Sequence, residues 1–270
     1  DVCSSDLAVG LVRMPRFLAL LFAVLSASMA AQGAPAPGPV FLLGGNSFQG
    51  ALFAEALRPA LRESFRGRTR VALILEAVHP DDRGAMEARL RAGFRDLGAE
   101  AAPVPLADTA AARSTLASAD GIFIVGGETF VLLAALHRDG LLEVIRSRVR
   151  AGMPFAGSSA GANVAGLIIG TTNDFPVAEI PSRTALGLVP VTVNPHHPPP
   201  SAAAEFRLRA GKIRGYLRFN PRDTVLGLGE ASMAVWRDGR LTLLAGSAWL
   251  YRAGEDRELK TDARSEEHTS

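Results

Sequence analysis

From Val40 onward the chain alternates short apolar runs with longer amphipathic stretches, and this alternation limits the fold more than any other feature. Residues 40–43, 71–75, 121–125 and 154–157 are apolar runs bounded by Gly, Pro or charged residues. Continuous apolar runs of that length suit strands buried on both faces, as in a parallel sheet. Between them lie helical patterns over 48–61, 83–97, 109–117 and 129–151, the last broken at Asp139-Gly140. Strict alternation of the two periods predicts βαβ units and an α/β fold, a parallel sheet covered by helices in a three-layer sandwich. Past Ser159 a helix is expected to about residue 168. A loop rich in turn residues follows, then an extended segment at 191–193, an Arg-bearing helix over about 204–217, and strands at 224–228, 233–237 and 241–244. Asp238-Gly239 between the last two strands is a hairpin signal. No repeat or second composition regime interrupts the pattern, so a single domain over 40–257 is expected.

Composition narrows the function classes. Of the 270 residues 48% are hydrophobic and 21% charged, which supports a sizeable core. Twenty-nine basic and 27 acidic residues leave a formal charge of +2 without any long basic run, so nucleic acid is not an expected partner. The single cysteine, Cys3, rules out an internal disulfide framework and a cysteine-based zinc site. The five histidines lack metal-ligand spacing, so neither a metal nor a cofactor is expected.

The ends stand apart from the pattern. Met14 is the first methionine. Arg16 forms a short positive region, 17–25 an apolar one, and Ser28-Met29-Ala30 a small-x-small cleavage site. Residues 14–30 therefore read as a signal peptide cut after Ala30, with the mature protein periplasmic or secreted. Nine apolar residues are half of the roughly 20 that a spanning helix needs, so no stable membrane anchor is expected. Residues 1–13 and 264–270 are patternless and resemble translated sequencing-adapter sequence. They are set aside as flanks, within a tail taken to begin at 258. Residues 31–39, rich in Ala, Pro and Gly, read as a linker.

Chemistry concentrates where the run at 154–157 meets a helix. Gly157-Ser158-Ser159-Ala160-Gly161 satisfies G-x-S-x-G, the pattern of a sharp strand-to-helix turn that thrusts its central serine outward. The bland alternative is a Gly/Ser-rich loop that binds an anion at a helix N-terminus. A nucleophilic Ser159 needs a base, and the candidates are His79, His137, His196 and His197. His137 sits beside Arg138 on an amphipathic helix and reads as a solvated surface residue, and His79 lies in a loop before Pro80. His196, in Asn194-Pro195-His196-His197, follows an extended apolar segment, where α/β sites gather, and is the best base. Asp174 or Glu230 is the candidate acid to orient it.

Five motifs then occur in order: Gly126-Gly127-Glu128-Thr129-Phe130, Gly157 to Asn163, Thr172-Asn173-Asp174-Phe175-Pro176, Asn194-Pro195-His196, and Gly227-Leu228-Gly229-Glu230. Together they resemble peptidase E, the aspartyl dipeptidase family, over about residues 40–251. The resemblance implies a fold like class I glutamine amidotransferases with serine at the elbow, and Ser159 as nucleophile with His196 as general base. It further implies oxyanion donors on the backbone of Gly127 and Ala160, and either Glu230 or Asp174 as third triad member. Glu230 is favoured for orienting His196, and Asp174 for holding site structure or the substrate's α-amino group. The implied reaction removes an N-terminal aspartate from a small peptide without a metal. Arg207, in Glu205-Phe206-Arg207, resembles a family segment and is the candidate for the substrate carboxylate, against the bland reading of an exposed helix arginine.

The chain departs from the family pattern at Ser158, where the family has tryptophan, at Glu128, where it has asparagine, and by about two extra residues after Arg207. Glu128 places a negative charge beside the site, which opposes an acidic P1 side chain. A cyanophycinase-like peptidase acting on β-aspartyl peptides is the nearest alternative, and a non-catalytic binding protein on the same scaffold is another. An α/β-hydrolase fits poorly, because only 37 residues separate positions 159 and 196. Oligomeric state, monomer or dimer, is left open.

Overall fold

The computed structural model describes residues 36–261. The expected signal peptide, the flank before it, most of the linker and the end of the tail lie outside the described residues.

In chain order the elements are β1 (Val40–Leu43), the hairpin β2 (Phe48–Gln49) and β3 (Leu52–Phe53), α1 (Arg58–Phe65), β4 (Val71–Ile74), α2 (Arg83–Asp96), β5 (Ala101–Pro103), α3 (Thr109–Ser118) and β6 (Gly121–Ile124). Then come α4 (Thr129–Arg138), α5 (Leu142–Arg150), β7 (Phe155–Ser158), α6 (Ala160–Ala165), β8 (Thr192–His197) and α7 (Ala203–Phe219). The chain closes with β9 (Val225–Gly229), β10 (Met233–Arg237), β11 (Arg240–Ala245), β12 (Ala248–Arg252) and β13 (Glu255–Leu259).

A seven-stranded sheet runs β11-β10-β1-β7-β6-β4-β5. Its five-strand block from β1 to β5 is parallel, including Val71–Ile74 against Gly121–Ile124, as the alternation predicts. β10 and β11 join antiparallel through Asp238 (φ 51°) and Gly239 (φ 75°), so the sheet is mixed at that edge. Alternate side chains of the parallel strands feed two cores. Phe41, Leu43, Leu73 and Phe123 pack with Leu61 and Phe65 of α1 and Leu90 and Phe94 of α2, whereas Leu42, Ile74, Ile122 and Ile124 pack with α3 to α6. That is the three-layer sandwich, with helices on both faces of a mainly parallel sheet.

Four local expectations are corrected. Residues 48–61 are not one helix: Gly50 turns at φ 61° to close the β2–β3 hairpin, Phe48 stacks on Phe53 at 4.7 Å, and Pro59, lacking an N–H, marks the start of α1. The helix after Ser159 stops at Ala165 rather than near 168, because Gly166 turns extended and Leu167 donates to the Val191 carbonyl at 3.0 Å. A second sheet, β13-β12-β9-β8, includes two strands, β12 and β13, beyond those expected, although Ala248-Trp249-Leu250-Tyr251 of β12 is itself an apolar run. β13 is a charged, exposed edge strand that carries no alternation and runs past residue 257. The last linker residues are also built in, since Gly38 donates to Val149 at 2.7 Å and Pro39 accepts from Phe155 at 3.0 Å. Among the described residues no helix is long and apolar enough to cross a membrane.

Candidate active site

β1 and β7 are adjacent and parallel, yet β1 leads to α1 on one face and β7 to α6 on the other. Such a switch point opens a crevice at the strands' C-terminal ends. Ser159 stands there, between β7 and α6, at φ 51° and ψ −110°, a conformation outside the usual regions for a residue with a Cβ. Packing holds it. Its N–H donates to the Leu43 carbonyl of β1 at 2.9 Å, and its own carbonyl accepts from Asn163 at 2.9 Å. A Cβ at Gly157 would lie 2.3 Å from the Gly161 carbonyl oxygen, so the elbow closes only with glycine there. Ser158, at the family's tryptophan position, is buried and shares a 2.8 Å hydroxyl–hydroxyl hydrogen bond with Ser47.

β8 brings in the base candidate through a register shift. Its pairing with β9 is regular from Thr192 to Asn194 and resumes at His197, so Pro195 and His196 bulge from the ladder. His196 sits at φ 55° and donates its N–H to Gly44 at 2.9 Å. Its Nε2 is 2.7 Å from Ser159 Oγ, and its Nδ1 is 2.6 Å from Oε1 of Glu230, just past β9. Both side chains are about two-fifths exposed, at 40% and 43%. Carboxylate oxygens only accept, so Nδ1–H donates to Glu230 and leaves the Nε2 lone pair for the serine hydroxyl. The turn carrying Glu230 is tied back by Ala231, which donates to Gly45 at 2.8 Å. Gly45, at φ 144°, leaves room for both side chains: a Cβ there would lie 2.4 Å from His196 Nδ1 and 2.5 Å from Glu230 Oε2.

The second acid candidate is placed elsewhere. Asp174 Oδ2 accepts from the Thr129 N–H at 2.8 Å, at the N-terminus of α4. Its loop also reaches β8, where Asn173 Nδ2 donates to Pro195 at 3.0 Å. Gly127 and Glu128 precede α4, and Glu128 is exposed, with its N–H donating to Ala77 at 2.8 Å. Among the described residues neither Gly127 nor Ala160 donates its N–H to another group.

The remaining histidines are accounted for differently. His197 is fully buried, stacked on Trp249 at 5.1 Å. It donates from Nδ1 to Pro198 at 2.9 Å and accepts at Nε2 from the Tyr251 hydroxyl at 2.8 Å. Burial, more than the nearby Arg209 charge, pulls its pKa down to about 4, so it is neutral packing. His79 is exposed and accepts from the Asp81 N–H, and His137 donates to Thr184 at 3.0 Å. Neither joins Ser159.

The arginine candidate lies at the surface. Arg207 is exposed on α7 and makes no hydrogen bond or ion pair among the described residues. Two residues on, about 200° round a helix, half-buried Arg209 donates from one nitrogen to Asn194 Oδ1 at 3.0 Å, His196 O at 3.2 Å and Pro195 O at 3.3 Å. It has no carboxylate partner among the described residues, and burial lowers its pKa. It lines a cavity of about 140 Å³ with Asn173, Asn194 and Lys212. Gly44-Gly45 was also missed, although a glycine pair ending an apolar strand was a visible signal.

The model of peptidase family S51 matches residues 40–244. Peptidase E of Shewanella amazonensis is 44% identical over 158 residues, 58% of this chain and 66% of that protein. Peptidase E of Streptomyces coelicolor is 39% identical over 179 residues, 64% of this chain and 71% of that protein. The match thus spans just under two thirds of the length of the Shewanella protein. A crystal structure of a peptidase from an acI-B1 Actinobacterium superposes with a TM-score of 0.59 at 21% identity, over 84% of this chain and 98% of that one, a likeness of fold. A family match that spans both cores and ends in β11, beyond Ser159, His196 and Glu230, leaves one assignment: the chain belongs to peptidase family S51.

Proposed function

We propose that this protein is an exported serine-type dipeptidase that removes N-terminal aspartate from short peptides through an acyl-enzyme at Ser159. The observation that carries the reading is the unbroken chain Ser159 Oγ–His196 Nε2 at 2.7 Å and His196 Nδ1–Glu230 Oε1 at 2.6 Å. In the first half-reaction the Ser159 hydroxyl proton passes to His196 Nε2 as Oγ bonds to the scissile carbonyl carbon. Glu230 holds the imidazolium that forms. The N–H groups of Gly127 and Ala160 take the oxyanion. His196 then returns the proton to the leaving amine as the C–N bond breaks, and water repeats the sequence in reverse to release the acid.

Asp174 holds the front of α4, and with it the Gly127 loop, rather than the imidazole. For the substrate carboxylate the supported residue is Arg209 in place of Arg207, because a half-buried guanidinium without an acidic partner suits an incoming carboxylate. Export is supported by the residue pattern at 14–30. The test is twofold. A fluorophosphonate probe read by intact mass should add once, at Ser159, and the enzyme should release aspartate from Asp-Leu faster than it cleaves β-Asp-Arg. A chain that takes no probe would refute the serine mechanism, whereas faster cleavage of β-Asp-Arg would refute the linkage.

A further inference from the structure

The β1/β7 crevice is not the only switch point in the seven-stranded sheet. β4 leads to α2 on the first face, whereas its neighbours β5 and β6 lead to α3 and α4 on the second. Ligands of open α/β sheets gather at such points, outside the strands' C-terminal ends. Here the place is a cavity of about 270 Å³, lined by Glu76 after β4, Arg83 of α2, Leu106 and Ala107 after β5, and Val131, Ala135 and Arg138 of α4.

Its chemistry is unusual for a surface hollow. The Glu76 side chain is only 12% exposed, and its Oε2 is buried without a hydrogen-bond partner among the described residues. Its other oxygen is 3.8 Å from Arg83, too long for a hydrogen bond. Burial raises the Glu76 pKa more than the Arg83 charge, the backbone N–H groups of Glu76 and Leu75 and the Arg138 charge together lower it, so the carboxylate is only partly compensated. Arg83 spends its Nε on the Val78 carbonyl at 3.0 Å, and Arg138 reaches out to Asp139. Leu106 and Ala135 form an apolar floor.

We propose that this cavity is a second ligand site, which takes a free α-amino acid with an apolar side chain. The ammonium faces Glu76, the carboxylate faces Arg83 and Arg138, and the side chain lies on Leu106, Val131 and Ala135. The ligand class follows from the charges. A simple carboxylate would face Glu76, and a simple amine would face Arg83, whose charge, unlike that of Arg138 on Asp139, is not hydrogen-bonded to a carboxylate in the cavity. Only a zwitterion complements both. The assignment is independent of the catalytic reading.

The test is calorimetric titration of L-leucine into the full chain, with isocaproate and isoamylamine as probes lacking one charge each. Saturable binding in the millimolar range is expected for so small a ligand, with neither control binding. Glu76→Gln should weaken it at least about 10-fold, as loss of a charge-assisted contact does. Ala107→Phe, at the exposed rim, should block it sterically and stands in if Glu76→Gln does not fold. His196→Ala should leave it intact. No saturable binding, equal binding of isocaproate, or indifference to both cavity variants would overturn the proposal. Binding lost in His196→Ala but kept in Glu76→Gln would also overturn it, by placing the amino acid beside Ser159.

Discussion

Replacing Glu230 with glutamine keeps the shape of the side chain but reverses the hydrogen bond that sets the tautomer of His196. In the native site a carboxylate oxygen accepts Nδ1–H at 2.6 Å. The glutamine amide can instead donate to Nδ1, which moves the ring proton to Nε2, the atom that must accept from Ser159. In a triad with a buried acid the corresponding change costs about 10⁴-fold in kcat. Glu230 is 43% exposed, so water can recover part of the lost interaction. The expected loss is about 10²–10³-fold, or about 3–4 kcal/mol at 1.4 kcal/mol per tenfold. Asp174→Asn is the internal comparison, because an asparagine oxygen still accepts from Thr129 and only the charge near the start of α4 is lost, at about 0.3–1 kcal/mol. The assay is kcat on Asp-Leu together with the rate of fluorophosphonate labelling, each normalised to folded protein by circular dichroism. A loss under about 10-fold for Glu230→Gln beside a larger one for Asp174→Asn would refute the assignment of Glu230 as orienting acid.

The adjacent histidines should separate cleanly: His196→Ala abolishes turnover at unchanged Tm, as does Ser159→Ala, whereas His197→Ala removes a stacked ring and the Tyr251 partner and lowers stability by about 2–4 kcal/mol. Equal loss of kcat in folded His197→Ala and a mild effect in His196→Ala would reverse the assignment. Acid should expose His197 as well. Its folded pKa of about 4 lies below the unfolded value of about 6.5, so the unfolded chain gains the proton first and stability falls by up to about 3 kcal/mol between pH 6.5 and 4. Urea titrations across that window should show the slope in the native chain and less of it in His197→Gln. Glu128→Asn should raise kcat/KM for Asp-Leu relative to Ala-Leu by roughly 5- to 150-fold if the exposed carboxylate opposes an acidic P1 residue; an unchanged ratio places Glu128 outside the substrate's field. N-terminal sequencing of exported protein should begin at Ala31, and Met14 retained on cytosolic protein would refute export.

Local signals carried much of the outcome. Apolar runs alternating with amphipathic stretches specify buried parallel strands and covering helices because period and length report burial directly. The G-x-S-x-G elbow was readable for a similar reason, since its demand for small residues is local to five positions. What escaped the pattern was set by contacts distant in the chain. β13 is an edge strand, paired on one side only and exposed, so no apolar run marks it. Glu230 and Asp174 were equivalent as residue types. The separation came from β9 lying beside β8, which brings Glu230 to His196, while the Asp174 loop folds back onto the front of α4. Arg209, not Arg207, reaches β8, because helix phase against the β8 bulge, rather than sequence motif, decides which guanidinium turns inward. The two histidines make the same point at adjacent positions. A register shift of β8 against β9 turns His196 out to the serine and His197 into an aromatic core, and register is a property of paired strands that neither strand's own sequence contains.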